Sequence, residues 1–176
     1  LKAAGYNKMP KHGWLPVTVP GQPKAWAALS KRFGKLSLED VLAPAIRYAE
    51  EGYPVSAVVS VLWDKYVRQD SKLFKDNPIF DEWFKTFTKN GEPYQFGEIV
   101  KFKNHAKTLR LIAQSNADAF YKGEIADQID AQSKRDGGFI RKEDLAEYDV
   151  EWVDPIHVSY RGYDVWEIPP NGQGIV

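Results

Sequence analysis

The chain has 176 residues, 24 basic and 24 acidic side chains, a formal net charge of zero and no cysteine. The balanced charge argues against a nucleic-acid or anionic-membrane surface, since both need a basic excess. The lack of cysteine excludes disulfides, thiol nucleophiles and cysteine-ligated metals. No apolar stretch approaches the roughly 20 residues that a membrane-spanning helix needs. With 43% hydrophobic residues, the chain can still bury the core of one domain.

Hydrophobic periodicity predicts that most of the chain is helical after a Pro- and Gly-rich loop. The predicted helices cover residues 23–33, 38–51, 56–68, 104–116 and 117–135, the last one broken at Gly123. Ser37 is a good N-cap for the second helix, and Asp40 stands three residues on, where a capping box usually has Glu or Gln. In the third helix, Val58, Val61 and Leu62 form the apolar stripe.

Aromatic residues are frequent in the middle of the chain. Over residues 70–98 we expect short helical turns at 71–75 and 78–84, followed by a tight turn at Asn90-Gly91. Most of these aromatic side chains should serve a core or a buried interface, because their large apolar area makes burial favourable.

The pattern changes from helical to alternating after residue 147. Residues 148–152 and 156–160 alternate apolar with polar side chains, Arg161-Gly162 is typical of a turn, and residues 163–168 predict a further strand. The predicted fold class is therefore α+β. A mainly helical segment, residues 1–147, is followed by strands and a Gly-rich bend up to residue 176, without a separate second domain.

Histidine offers little evidence of a metal or a nucleophilic site. His12, His105 and His157 are far apart and lack the spacing of a metal site, which needs several converging ligands. His12 is expected in a loop, and His105 and His157 are expected to face solvent. A Ser-His-Asp arrangement stays open, although no G-x-S-x-G elbow supports it.

Two acidic pairs and the tryptophans are the other candidates. Glu143-Asp144 could perform general acid–base work, but the pair lies in the first turn of a predicted helix, Lys142–Tyr148, where the helix dipole favours acidic residues. Glu50-Glu51 is interpreted as a solvated helix end. A stacking platform for a sugar could be built from tryptophans, although scattered tryptophans more often belong to a core; the four are Trp14, Trp26, Trp63 and Trp83.

The bend Asn171-Gly172-Gln173-Gly174 is the one segment that packing alone does not explain. Two glycines let backbone N–H groups approach a ligand or another chain segment. These four residues are therefore the candidate substrate-binding residues. We expect no catalytic residue and no metal ligand elsewhere in the chain.

Six short segments, taken in order, resemble one protein family. They are Val19-Pro20-Gly21; Phe33-Gly34-Lys35-Leu36 with Leu42-Ala43-Pro44-Ala45-Ile46; Ala49-Glu50-Glu51-Gly52-Tyr53-Pro54-Val55; Ala119-Phe120-Tyr121-Lys122-Gly123; Gly137-Gly138 with Glu143-Asp144-Leu145-Ala146-Glu147-Tyr148; and Tyr160-Arg161-Gly162-Tyr163 running to Pro169-Pro170. The set resembles the large subunit of gamma-glutamyltranspeptidases over about the whole chain. The resemblance implies that these residues are an internal piece of a four-layer αββα N-terminal nucleophile hydrolase.

Two positions depart from the family pattern. The main transpeptidases carry Pro-Pro-Pro-Ser-Ser-Gly-Gly where this chain has Pro169-Pro170-Asn171-Gly172-Gln173-Gly174, a variant similar to gamma-glutamyltransferase-like proteins and cephalosporin acylases. The family also usually has a Thr or Ser cap at the position of Arg141. Since a lost cap costs on the order of 1 kcal/mol, we expect Arg141→Thr to raise stability.

The resemblance also implies a mechanism whose reacting groups lie outside these residues. A precursor cleaves itself, and the new N-terminal Thr of the small subunit, downstream of Val176, becomes the nucleophile with its own α-amino group as base. The Arg that holds the substrate carboxylate in the family lies upstream of Leu1. The implied partners are a small-molecule γ-glutamyl or acyl-amide substrate and the small subunit of the same precursor. No cofactor, nucleic acid or membrane span is implied.

Two other functions remain open at this point. One is a glutaryl-type cephalosporin acylase, which is also an enzyme of this mechanism. The other is a non-catalytic helical binding module that shares ancestry with the family.

Overall fold

The computed structural model describes residue 2 and residues 5–172. The helices in this part of the chain are α1 (Gln22–Phe33), α2 (Leu38–Glu51), α3 (Ala57–Phe74), α4 (Asp81–Phe87), α5 (Lys103–Ser115), α6 (Asp118–Tyr121), α7 (Glu124–Arg135) and α8 (Lys142–Glu147). The strands are β1 (Tyr53–Pro54), β2 (Ile99–Val100), β3 (Ile156–Tyr160) and β4 (Tyr163–Glu167), and a 3₁₀ turn covers Pro78–Phe80. This is the predicted α+β class: a mainly helical segment with a small C-terminal hairpin.

The main core lies where the start of α2, the end of α5 and the helices α6, α7 and α8 meet. Its buried side chains are Leu38, Ile112, Ala117, Tyr121, Ile125, Ala126, Ile140 and Leu145. Trp26 of α1 packs against this group from the side. Burial of these apolar side chains supplies the main favourable free energy for joining helices that are individually short.

The helix boundaries follow local signals in the sequence. The Ser37 hydroxyl accepts a 3.1 Å hydrogen bond from the Asp40 amide and donates one of 2.6 Å to the Asp40 carboxylate. Helix α5 ends at Ser115 and is capped by Asn116, whose φ of 47° lies in the left-handed region, where Asn is tolerated better than most residues. Gly123 separates α6 from α7 as predicted.

A second layer of packing is built from the aromatic residues around α4 and the start of α5. The Trp63 indole donates a 2.7 Å hydrogen bond to the Phe87 carbonyl and stacks on Phe102 with a centroid distance of 6.2 Å. Tyr94 and His105 extend the same layer. Most of the aromatic side chains of this region therefore pack against one another, as expected.

The two predicted turns have the geometry of two-residue hairpin turns. Asn90 and Gly91 have φ values of 55° and 87°, and Arg161 and Gly162 have 51° and 83°. Positive φ at both central residues gives the twist that joins antiparallel strands. The second turn connects β3 and β4, whose antiparallel register runs from Ile156 opposite Glu167 to Tyr160 opposite Tyr163.

Two sequence predictions are corrected here, and one apolar surface is found exposed. Helix α3 continues to Phe74 rather than ending at residue 68, so the turn expected at 71–75 is the end of this helix. Residues 148–152 are not a strand, although they alternate in polarity. The apolar stripe of α3 does not face the described core, because Val58, Val61 and Leu62 are 71%, 69% and 46% exposed.

The structure also reverses the expectation for Arg141. Its guanidinium Nη1 donates to the Ser133 hydroxyl at 3.1 Å and to the carbonyls of Gly138 and Ile140, each at 2.8 Å. The Arg141 amide donates to the Asp144 carboxylate at 2.8 Å, which is half of a capping box. Arg141 therefore satisfies polar groups that a shorter cap residue at this position cannot reach.

Candidate functional site

The predicted substrate-binding bend begins directly after the hairpin. Asn171 and Gly172 are exposed, and a methyl group added at Gly172 would meet no atom within 4 Å. Gln173 and Gly174 lie outside the described residues. Within the described part of the chain the Gly172 backbone is therefore open to a ligand or another segment, and packing does not require glycine at this position.

An apolar groove lies next to the bend and was not predicted from the sequence. It has a volume of about 500 Å³ and runs between α1 and the extended segment 148–155. Ile168 and Pro169 line it, and the chain continues from these two residues into the bend. Three side chains of α1 form one wall: Ala25, Ala28 and Leu29. Their i, i+3, i+4 spacing is the one sequence signal that could have indicated this wall.

Trp152, one of the lining residues of the groove, contacts the end of α1. The Arg32 guanidinium lies 4.1 Å from the centroid of the Trp152 ring, within the range of a cation–π interaction. The ring of Phe33 meets the same indole edge-on at 5.7 Å. These contacts connect the end of α1 to the segment before β3.

The hairpin brings together a His, a Ser and an Asp that are separated in sequence. The Ser159 hydroxyl donates a 2.5 Å hydrogen bond to the Asp164 carboxylate, and Nδ1 of His157 lies 3.9 Å from the same oxygen. In a nucleophilic triad the histidine lies between the serine and the acid. Here the acid binds the serine directly, and all three side chains are exposed. The cluster is therefore a cross-strand polar contact rather than a catalytic arrangement.

The acidic pairs have structural roles, as their position in the sequence indicated. Asp144 accepts the Arg141 amide in the first turn of α8, and Glu143 is exposed. Glu50, near the end of α2, is paired with Arg110 of α5 at 2.5 Å. Neither pair lies in the groove.

The tryptophans and histidines do not converge on one site. Trp14 donates to Asp136, Trp26 packs on the main core, and Trp63 and Trp83 belong to the aromatic layer. No sugar platform is formed by the four. His105 and His157 are exposed, as predicted, and over residues 5–172 no cluster of His, Asp or Glu could hold a metal ion.

The length and composition of a helix decide whether it could cross a membrane. In the part of the chain that the structure covers, no helix combines the length and the apolar composition that crossing a bilayer requires.

Comparison with known proteins gives the class of this fold. The chain superposes on a crystal structure of Helicobacter pylori gamma-glutamyltranspeptidase with a TM-score of 0.82, at 34% identity over 94% of this chain and 46% of the other. The helical segment with its C-terminal hairpin is thus part of the architecture of N-terminal nucleophile hydrolases. The family model described as gamma-glutamyltranspeptidase matches residues 1–176. The chain belongs to the gamma-glutamyltranspeptidase family.

Two further relatives are a cephalosporin acylase and a glutathione hydrolase-like proenzyme. A cephalosporin acylase structure from Bacillus halodurans matches with a TM-score of 0.95 and 51% identity, covering 99% of this chain and 32% of the other. The glutathione hydrolase-like YwrD proenzyme of Bacillus subtilis is 36% identical over 158 residues, which are 90% of this chain and 29% of the relative. The chain therefore spans less than a third of the length of these two proteins.

Proposed function

We propose that this chain is the scaffold part of an autoprocessing enzyme that hydrolyses or transfers the acyl group of γ-glutamyl amides, for example glutathione-type substrates. The observation that carries the proposal is the family match over all 176 positions. The relatives include a glutathione hydrolase-like proenzyme, which supports both the substrate class and a cleaved precursor.

The reacting groups are assigned to polypeptide outside these 176 residues. An N-terminal Thr of the small subunit attacks the amide carbonyl, its own α-amino group accepts the hydroxyl proton, and the amine leaves with a proton. Backbone N–H groups stabilise the oxyanion. Water or an amino acid then takes the acyl group. The described residues support placing the reacting groups outside this chain, because the His157–Ser159–Asp164 cluster lacks the order of a triad.

We assign the β3–β4 hairpin to the contact with the small subunit. One of its faces is apolar, and its side chains Ile156, Val158, Tyr160, Tyr163 and Val165 are between 44% and 78% exposed. A two-stranded hairpin alone is marginally stable in water. We propose that the small subunit of the same precursor packs on this face, and that Asn171, Gly172, Gln173 and Gly174 lie at the edge of the substrate site.

A glutaryl-type cephalosporin acylase is the second candidate function. The 51% identity to the acylase structure favours it specifically, as does the departure of the bend from the main transpeptidase motif. Both candidates use the same acyl-transfer chemistry and differ in the acyl group that the site accepts.

The test uses the full-length gene product. Intact-mass analysis should show two subunits, and the cleaved protein should release p-nitroaniline from a γ-glutamyl anilide and cleave glutathione. Turnover of a glutaryl cephalosporin with no turnover of the γ-glutamyl substrates establishes the acylase instead. A single uncleaved mass with no turnover of any of the three substrates contradicts both enzymes and indicates a binding module.

A further inference from the structure

The turn at Asn90-Gly91 contains a residue pair that is chemically prone to deamidation. The backbone nitrogen of the residue after an Asn attacks the side-chain amide carbon of that Asn, and a following Gly leaves the nitrogen unhindered because it has no side chain. The turn nevertheless needs this pair. Asn90 and Gly91 have φ values of 55° and 87°, and Asn-Gly is the preferred pair for a turn with two positive φ values.

A hydrogen bond restrains the nitrogen that carries out the attack. The Gly91 amide donates to the Thr88 hydroxyl at 3.1 Å. The same hydroxyl donates to the Phe84 carbonyl at 2.6 Å, so its own proton is committed and its oxygen acts as an acceptor towards Gly91. Thr88 is only 7% exposed, which limits competition from water for this hydrogen bond.

Contacts on both sides of the turn hold it in the same conformation. The Lys89 amide donates to the Glu92 carbonyl at 2.8 Å, and the Glu92 amide donates to the Lys89 carbonyl at 3.1 Å. Such a turn keeps ψ of its first central residue at about 30°. Ring closure instead needs the Gly91 nitrogen on the side of the Asn90 Cβ atom. The peptide between Asn90 and Gly91 must therefore rotate before it reacts, and this rotation breaks the hydrogen bond to Thr88.

We infer that Asn90 is a site of spontaneous deamidation and that the Thr88 hydroxyl slows this reaction in the folded protein. The deprotonated Gly91 nitrogen forms a bond to Cγ of Asn90. The bond from Cγ to the side-chain nitrogen breaks, and this nitrogen takes up a proton and leaves as ammonia. Water then opens the succinimide ring at either carbonyl and gives aspartate or isoaspartate at position 90. The reaction needs no oxidant and no reactant besides water.

The modification changes both the charge and the length of the turn. Isoaspartate adds one carbon to the main chain, which misaligns the two hydrogen bonds between Lys89 and Glu92. Either product also places a carboxylate in a cavity of about 660 Å³ that Asn90 lines together with Lys75, Lys85 and Lys89. The new negative charge makes the modified protein separable by ion exchange.

Peptide mapping by mass spectrometry, after incubation of the full-length protein at mildly alkaline pH, tests the inference. Thr88→Val keeps the shape of the side chain without the hydroxyl, and the Phe84 carbonyl keeps the Thr88 backbone amide as its partner at 3.0 Å. Asn90 should deamidate about 10-fold faster in this variant than in the native protein, the rate change that corresponds to one hydrogen bond of ordinary strength. Thr88→Ser keeps the hydroxyl and is the matched control, with a rate close to the native one. Equal rates in the native protein and in Thr88→Val overturn the inference.

Two further measurements separate the local effect from a loss of folding. Asn171-Gly172 is the other Asn-Gly pair of the chain, and its rate should be the same in Thr88→Val as in the native protein. An equal acceleration at both pairs contradicts a local role of Thr88. In urea, which removes the turn, native Asn90 should react at least about 10-fold faster than in the folded protein. Equal rates with and without urea overturn the inference even if Thr88→Val does not fold. None of these measurements depends on the proposed enzymatic activity.

Discussion

The Tyr121 hydroxyl donates a 2.6 Å hydrogen bond to the Pro20 carbonyl, and it accepts one of 3.1 Å from the Lys24 amide. Tyr121 is fully buried and belongs to α6, whereas Pro20 and Lys24 are about 100 positions earlier, on either side of the α1 start. A single side chain thus fixes the entry of α1 onto the main core. It also satisfies one of the free amides in the first turn of that helix.

Tyr121→Phe should lower the free energy of unfolding of the protein by about 1–3 kcal/mol. The substitution keeps the ring but removes two part-buried hydrogen bonds, to the Pro20 carbonyl and from the Lys24 amide, and a hydrogen bond of this kind contributes about 0.5–1.5 kcal/mol. Urea denaturation measures the change. Tyr148→Phe is the matched control, because Tyr148 stacks on Tyr121 but its hydroxyl has no hydrogen bond among the described residues. An equal loss in both variants contradicts the assigned role.

Stability should also fall at high pH through Tyr121. Burial is the main cause that raises the pKa of Tyr121 above its ordinary value, against the lowering effect of the Lys24 amide. The folded protein therefore holds this proton more tightly than the unfolded chain, and the contribution is complete below the unfolded pKa of about 10 and is lost as the pH rises through the folded pKa. Denaturation between pH 8 and 11 should show a steeper decline for the native protein than for Tyr121→Phe, and parallel declines contradict this assignment.

Arg141→Thr should lower stability by roughly 1–2 kcal/mol. A Thr cap gains about 1 kcal/mol, but the loss of the guanidinium leaves the buried Ser133 hydroxyl and the Gly138 carbonyl without a donor. Thermal and urea unfolding measure the net effect. Arg135→Thr, which removes an exposed arginine at the end of α7, should change stability much less. If Arg141→Thr instead gains stability, the Thr cap of α8 contributes more than the hydrogen bonds of the Arg141 guanidinium.

Gly138→Ala should destabilise the protein by about 1–3 kcal/mol through overpacking. The added methyl group would lie 2.6 Å from the Ser133 hydroxyl and 2.8 Å from two ring carbons of Trp14. Because Trp14 must shift, its hydrogen bond to Asp136 should weaken and the tryptophan fluorescence should change. Unaltered fluorescence together with unaltered stability contradicts the prediction.

Gly172→Ala tests whether the bend affects substrate turnover without affecting the stability of the protein. A methyl group at this position meets nothing in the described structure, so the melting temperature should stay unchanged. If the bend borders the substrate site, kcat/KM for the γ-glutamyl substrate in the full-length enzyme should fall about 10-fold, since a closely approaching ligand would meet the new group. If Gly172→Ala keeps native activity, the bend is not part of the candidate substrate site.

The sequence by itself determined the helices and turns whose signals are local. Ser37 with Asp40 starts α2, Gly123 separates α6 from α7, and Asn90-Gly91 and Arg161-Gly162 adopt positive φ. Each depends on groups within a few positions of one another, so the pattern carries the information. The family membership was also readable, because short motifs in a fixed order are a property of the chain itself.

Only the tertiary structure decided which of these surfaces face each other. In the folded chain, Arg141 donates hydrogen bonds to partners that helix-capping patterns do not predict. The apolar stripe of α3 is exposed. A groove lies between α1 and a segment more than 110 positions later. Burial depends on the side chains that distant segments bring into contact. Periodicity shows that a face is apolar, but the position of every other element determines what covers it.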